Sequence, residues 1–508
     1  MPCIHGLRLI LLTIAVSFGI FMNVLDTSIA NVAIPTIAGN LAVSADEGTW
    51  VITSFSVSMA IALPLTGWLG RRFGEVRLFV FSTFLFSVAS VLCGLSTNLT
   101  MLVFFRVVQG MVAGPMIPLS QSLLLANYPD DKKGLATALW ATVAVAAPVL
   151  GPILGGYITD NYSWPWIFYI NLPVGIFSVY FTWSILKDRE TERIKLPVDY
   201  VGLILLALGV GCLQILLDKG KDLDWFNSNV IIVLSIISFI SLVFFVVWEL
   251  TDKYPIVDLS LFERRNFTVG TLAISLGYMI FFGSVVILPL WLQTQMNYTP
   301  TWAGLATAPL GIIPVLLSPC MGYVMNKIDL RFIVSCGFFT FGYCSFWLSG
   351  FDTDVSVGMV ALVRFIQGIG APFFFIPCTS ILLSGLPNNR LASAAGLSNF
   401  LRILAGSFGV SIFVTLWDHR ESVHQSKMVE GLTLYNPQIA HAYHQLQQQG
   451  FSTIESYAHI MQAVINQAYM LATMDVFWLS GVIFYALLLL IWFARPPFLA
   501  KRALPAAE

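Results

Sequence analysis

The stretch RVVQGMVAGPMIPLSQSLLLANYPDDK, Arg106 to Lys132, returns later in the chain as RFIQGIGAPFFFIPCTSILLSGLPNNR, Arg364 to Arg390. Without gaps, Arg106, Gln109, Gly110, Ala113, Ser122 and Pro129 fall on Arg364, Gln367, Gly368, Ala371, Ser380 and Pro387, a constant offset of 258 residues. Apolar helices resemble one another by composition, but a shared intramembrane Arg and a shared Pro-marked exit are not compositional accidents. A weaker echo links GWLGRRFGEVRL (from Gly67) to GYVMNKIDLRF (from Gly322). The chain is therefore read as two parallel repeats, which places a pseudo-twofold axis along the membrane normal and a cavity between the halves. That arrangement suits alternating access better than a fixed pore.

The rest of the 508 residues agrees. Hydrophobic residues make up 57% and charged residues only 10%, against about 25% charged in soluble domains. A net charge of -1 and the lack of a basic patch with interleaved aromatics give no sign of nucleic-acid binding. A membrane crossing needs about 20 apolar residues. Fourteen such runs are predicted, at about 9–33, 49–69, 78–96, 101–126, 135–158, 166–186, 200–217, 229–250, 267–293, 302–324, 332–349, 357–385, 392–417 and 475–494. The first resembles a signal peptide at its start, but runs on past Ile29 without a small-residue cleavage site and is read as a retained span. Of the seven Cys, six fall in spans and Cys3 in the N-terminal tail, so no disulfide framework or metal site is implied.

Lys and Arg set the orientation. With the N-terminus in the cytoplasm, nineteen of the twenty-six lie in cytoplasmic segments and four (Lys219, Lys221, Arg420, Lys427) outside. Three, Arg106, Arg364 and Arg402, lie within spans. Both termini are expected inside. The expected organisation is an all-α polytopic membrane protein: a six-helix half over residues 1–190, two inserted helices over 191–265, and a second six-helix half over 266–508 with a long outer loop at 418–474.

These motifs resemble the major facilitator superfamily, and within it the fourteen-spanner drug/proton antiporters, most closely the EmrB-type export pumps of Gram-negative inner membranes. LDTSIANVAIP (Leu25 to Pro35) is similar to that family's first-span motif, RVVQGMVAGP to its fourth-span motif, and APVLGPILGGY (Ala147 to Tyr157) to its fifth-span antiporter motif. The resemblance covers nearly the whole chain. It implies proton-driven efflux across a bacterial inner membrane, no cofactor, and work with a periplasmic membrane-fusion adaptor and, through it, an outer-membrane channel. One loop departs from the superfamily pattern. In GWLGRRFGEV, Arg71 stands where Asp is usual and Glu75 where Arg is usual. Gly67, Arg71, Arg72, Gly74 and Glu75 then form either a tight turn with anchoring charges or a gate with reversed partners.

The resemblance directs attention to Asp26. An acid in a span costs roughly 2.5–3.5 kcal/mol on insertion scales and marks function by default. At 1.5 Å per residue, Asp26 lies about 25 Å above the cytoplasmic side and Arg106 about 20–23 Å. The two are expected to face a polar cavity and to pair directly or through water, with Asp26 the proton carrier and Arg106 its electrostatic tuner. The alternative is an Asp that merely steadies the helix. Gln109 is expected to hydrate the pair.

Asn23, Asn31, Arg364, Gln367, Arg402, Tyr278, Trp291 and Phe373 are candidates for the substrate cavity. Gly151, Pro152, Gly155 and Gly156 are candidates for close helix packing that changes between states. Spans 9 to 13 hold no interior Asp or Glu, with Glu249 and Asp475 near span ends. One acid and three Arg favour neutral or weakly acidic lipophilic substrates. The outer loop holds five of six His, and HAYH (His441 to His444) has a spacing open to metal, but lacks supporting ligands. Its segment from Gln445 to Met470 reads as amphipathic helix, a cap on the outer gate or a dock for the adaptor. No nucleophile or metal motif supports a membrane enzyme. A same-fold symporter taking up a small organic solute is the remaining alternative, disfavoured by the GPILGG resemblance.

Overall fold

The computed structural model describes residues 4, 6–129, 132–194, 197–252, 255–298, 300–325, 327–432 and 437–498; Cys3 and the side chains of Asn31 and Pro152 lie outside the described set. Each expected span has a helical counterpart. Spans 1 to 6 are Leu7–Asn40, Trp50–Ala62 with Thr66–Phe73, Glu75–Gly94, Leu99–Asn127, Lys133–Asn161, and Trp166–Tyr169 with Asn171–Leu186. Spans 7 and 8 are Tyr200–Lys219 and Asn229–Thr251. Spans 9 to 14 are Arg265–Thr294, Pro300–Thr307 with Pro309–Val324, Leu330–Leu348, Val357–Leu382, Asn388–Val429 and Thr453–Ile491. Twelve are long and apolar enough to cross a membrane by themselves, and the two pieces of span 2, bent by 61°, make a thirteenth. Span 5 is a 29-residue helix at the remaining predicted position.

Composition explains the irregular helices. Span 4 carries Pro115 and Pro118, and its repeat partner span 12 carries Pro372 and Pro377. A Pro inside a helix removes one backbone hydrogen bond and favours a kink. Side-chain caps start the same two helices: Asn98 accepts from the Met101 amide and Ser356 from the Met359 amide.

The halves meet most closely toward the end that carries the Arg71–Arg72 loop, here the basic end. There glycines allow backbone-level approach. A Cβ on Gly67 of span 2 would lie 2.2 Å from Ser393 Oγ of span 13, and one on Gly322 of span 10 would lie 2.8 Å from Leu135 Cα of span 5. A Cβ on Gly396 would sit 3.1 Å from the Leu63 carbonyl. Deeper, Asn399 Nδ2 donates to Gln121 Oε1 at 3.4 Å, joining spans 13 and 4.

The inserted span 7 touches both halves. Gln214 Nε2 donates to Ser407 Oγ of span 13 (2.9 Å), Ser411 Oγ donates to the Leu217 carbonyl (2.7 Å), and Lys219 Nζ donates to Thr49 Oγ1 before span 2 (2.7 Å).

The outer segment corrects the sequence reading. A loop was expected from residue 418, but span 13 runs on as one 42-residue helix to Val429. A further helix occupies Pro437–Gln448, and span 14 starts at Thr453 and is 39 residues long. The amphipathic helix expected from Gln445 to Met470 is broken at Gly450, whose φ is +92°, and restarts on a capping box between Ser452 and Glu455. Arg420 and His424 of span 13 both reach Asp475 Oδ2 of span 14, at 2.6 Å and 2.7 Å, and Trp417 Nε1 donates to Thr473 Oγ1 at 2.8 Å. What looked like a loop is a helical pair clamped at its base.

Candidate functional site

Asp26 and Arg106 pair directly. Arg106 Nη1 donates to Asp26 Oδ2, and both side chains are buried, Asp26 2% exposed and Arg106 0%. Asp26 Oδ1 accepts from Gln109 Nε2 and from Asn171 Nδ2, each at 3.1 Å. Gln109 Oε1 accepts from Arg106 Nη1 at 2.9 Å and faces the Cys93 thiol at 3.5 Å. Arg106 Nε donates to the Val51 carbonyl at 2.9 Å, and its guanidinium lies 4.2 Å from the Phe55 ring centroid and 5.6 Å from that of Phe168. Asn171 also donates to Ser90 Oγ at 2.9 Å, and Ser90 donates to the Phe168 carbonyl at 2.9 Å.

The whole cluster is built from spans 1 to 4 and 6. Span 4 supplies Arg106 and Gln109 one turn apart on one face, span 1 supplies Asp26, and the break between the two pieces of span 6 delivers Asn171 at a helix start. The expected exposure to a cavity is therefore corrected: in this conformation the pair is sealed within the first six spans. An ion pair out of water survives only when its remaining lone pairs and protons are satisfied. Asp26 meets that requirement through three donors. Arg106 Nη2 is left without a hydrogen-bond partner.

Asn171 and Ser90 were not foreseen. Each is a lone polar residue in an apolar run, with no motif or period to mark it. Asn23, a cavity candidate, instead ties span 1 to span 4: its Nδ2 donates to the Ala113 carbonyl at 2.9 Å.

The second half repeats the constellation without the acid. Arg364 and Gln367 are both 0% exposed, and Arg364 Nη1 donates to Gln367 Oε1 at 2.5 Å. Applying the offset of 258 to Asp26 gives Ser284. Its carbonyl lies 3.5 Å from Arg364 Nη2, while its hydroxyl donates to the Phe281 carbonyl at 2.9 Å.

Arg402 is half-buried. Its Nη2 donates to Asn399 Oδ1 at 2.6 Å, and its guanidinium lies 5.1 Å from the Tyr278 ring centroid. Tyr278 in turn stacks on Phe282 with centroids 4.2 Å apart. Arg402, Asn399 and Gln121 thus join the two halves in a single polar chain. Trp291 is 1% exposed and belongs to the packed interior rather than to a cavity wall; Phe373 is half-buried against that interior.

Among the motif glycines, a Cβ on Gly151 would lie 2.3 Å from Ser28 Oγ and one on Gly155 would lie 3.2 Å from Ile29 Cγ2, so both pack on span 1. Gly156 faces open space.

The reversed loop finds its partners within the first six spans. Glu75 is buried and accepts from Ser122 Oγ at 2.6 Å. Gly74, at φ +92°, lets the Glu190 carboxylate approach and accept from the Val76 and Arg77 amides, both at 3.0 Å. Arg72 lies 5.1 Å from the Trp68 ring centroid. In the matching loop of the second half, Arg331 pairs with Asp329 at 2.7 Å and holds that carboxyl below the usual range.

The fold and the paired repeats belong to a transporter architecture. Residues 16–410 match the family model of the Major Facilitator Superfamily; the chain belongs to that family and is a transporter rather than an enzyme. It is 52% identical to the multidrug export protein EmrB of Haemophilus influenzae over 498 residues, 98% of each chain, and 52% identical to EmrB of Escherichia coli K12 over 97% of each. It is 49% identical to the fatty acid resistance protein FarB of Neisseria gonorrhoeae, again over 98% of each. Among solved structures, it resembles the proton:xylose symporter XylE (TM-score 0.61, 13% identity, 96% of this chain and 95% of that one). It also resembles the human organic anion transporter MFSD10 (TM-score 0.60, 12% identity, 96% and 100%). At these identities the likeness is one of fold.

Proposed function

We propose that this chain is a proton-driven multidrug efflux antiporter of a bacterial inner membrane, with both termini in the cytoplasm. It exports lipophilic neutral or weakly acidic compounds. The observation that carries the reading is the Asp26 carboxylate, sealed from solvent yet held by Arg106, Gln109 and Asn171. A carboxylate so placed has two stable conditions: paired and ionised, or protonated and released from the guanidinium. Protonation removes the attraction that draws spans 1 and 4 together, which links proton occupancy to helix position. Each proton carried inward across about 100 mV supplies roughly 2.3 kcal/mol. Direction and cargo rest on the relatives, two named for multidrug export and one for fatty acid resistance.

In the same reading, the pump works in a tripartite assembly, with a periplasmic adaptor docking on the helical pair beyond the outer face and an outer-membrane channel beyond that. The length and side of this pair support the docking.

Proteoliposome counterflow under an imposed pH gradient tests the function. Substrate accumulation should require a proton gradient, and substrate addition should release protons. Asp26→Asn should abolish proton release while the protein still reconstitutes. Gradient-driven transport with unchanged proton movement in Asp26→Asn would sink the assignment, and co-directional movement of proton and solute would make the protein a symporter.

A further inference from the structure

We infer that Arg364 and Gln367, facing Ser284 of span 9, form a second, anion-accepting site, one that takes the carboxylate of a weakly acidic substrate. The inference deepens the proposed export function and rests on it for the identity of the cargo.

The two halves differ most consequentially at the acceptor. In the first half, Asp26 receives one hydrogen bond from the Arg106 guanidinium and one from Gln109 Nε2. In the second half, the Arg and Gln donors are kept and the acceptor is lost. Ser284 stands at the repeat position of Asp26, and its hydroxyl is committed to the Phe281 carbonyl. Gln367 Nε2 and Arg364 Nε are both buried and without partners. Among the described residues, no carboxylate pairs with Arg364, although its side chain is 0% exposed. The nearest acceptor offered to Nη2 is a backbone carbonyl at 3.5 Å, at the limit of a useful hydrogen bond.

A buried guanidinium needs a counter-charge or a full set of acceptors. The first half shows what fits: a carboxylate, taking one bond from the guanidinium and one from the Gln amide, with Asn171 as a third donor there. Ser reaches one bond less far than Asp and carries no carboxylate, so the second half has the donors for a carboxylate but does not supply it. An external carboxylate completes the arrangement with the charge-assisted bonds that Arg makes best. A small inorganic anion such as chloride has the same charge and draws on the same donors.

Spans 9 and 12, which carry Ser284 and Arg364, meet where glycines of span 9 face larger side chains of span 12. A Cβ on Gly270 would lie 2.7 Å from Leu382 Cβ, and one on Gly277 would lie 2.4 Å from the Phe374 ring.

The test compares a carboxylate with its neutral isostere. Binding of octanoate and octanamide to the full chain in lipid nanodiscs is measured by calorimetry at pH 8, with empty nanodiscs subtracted. The native protein should bind octanoate at least tenfold more tightly. Ser284→Asp supplies the missing carboxylate internally and should bring that ratio to about one. Chloride, titrated in place of gluconate, should weaken octanoate binding in the native protein and leave the Ser284→Asp value unmoved; competition identifies an inorganic anion as a second occupant of the same site. Equal binding of the two compounds by the native protein would overturn the inference. So would a preference that survives Ser284→Asp or vanishes only with Arg402→Gln, since the anion would then sit elsewhere. Should Ser284→Asp fail to fold, Arg364→Lys replaces it, with at least a tenfold loss of octanoate binding expected and an unchanged ratio fatal. Exchange of a neutral substrate for protons in native proteoliposomes is read in parallel. Its absence alongside a carboxylate preference condemns the export reading only, and the converse condemns this site only.

Discussion

Asp26 shows how one residue is positioned by chemistry that the sequence only half reveals. The acid, the Arg and the Gln were legible because each is a costly residue inside an apolar run, and because Arg106 and Gln109 recur at Arg364 and Gln367. Asn171 and Ser90 were not legible, since an uncharged polar residue in a span is common and carries no period. Yet Asn171 supplies one of three donors to Asp26 and links it to Ser90. Asn171→Ala should leave a buried carboxylate oxygen short of one partner, at a cost of about 1–3 kcal/mol. The expected result is a lower Tm in detergent and slower transport with the protein still folded; an unchanged Tm and rate would remove Asn171 from the cluster. Glu75 makes the opposite point. Its charge was noticed, but its partner is the Ser122 hydroxyl, a contact set by how spans 3 and 4 meet rather than by the loop's own pattern.

Among the elements, span 5 depends most on small residues. The sequence showed that Gly151, Gly155 and Gly156 sit together, but not which neighbour they approach. The structure separates them: Gly151 and Gly155 press on span 1 next to Asp26, and Gly156 presses on nothing among the described residues. Gly151→Ala should therefore impair folding or transport through overpacking, by about 1–3 kcal/mol. Ser28→Gly should rescue part of that loss, because Ser28 Oγ and Cβ are the atoms struck first, at 2.3 Å and 2.4 Å. A double-mutant cycle on thermal stability measures the coupling, and strict additivity would show that the two positions do not touch. Gly156→Ala serves as the quiet comparison. The outer segment was misread for a related reason. The polar run Asp418 to Val429 ends the hydropathy signal of span 13, but polar residues are no obstacle to a helix that is already propagating.

For the molecule as a whole, the repeat foretold two halves and a seam, and the seam is closest at the basic end. Leu135 and Gly322 face each other across it, with a Gly322 Cβ placed 3.3 Å from Leu135 Cβ, close to the separation a disulfide requires. In a background without native cysteines, Leu135→Cys with Gly322→Cys should cross-link on oxidation and stop exchange, and reductant should restore it. Exchange that continues at full rate when cross-linked would mean that the seam does not open during transport. The sequence could not place this seam, because the glycine contacts across it join residues from about 190 to more than 300 positions apart. The 42-residue span 13 begins at that seam and ends beyond the opposite face. At 1.5 Å per residue it is a rod about 63 Å long, roughly twice the thickness of a bilayer core. Tied to span 14 through Asp475, it has the dimensions of a pointer. A tilt of about 10° at its base carries its tip roughly 11 Å sideways, by the length of the rod alone. A small tilt at the basic end would thereby be displayed, enlarged, at the far tip of the helix.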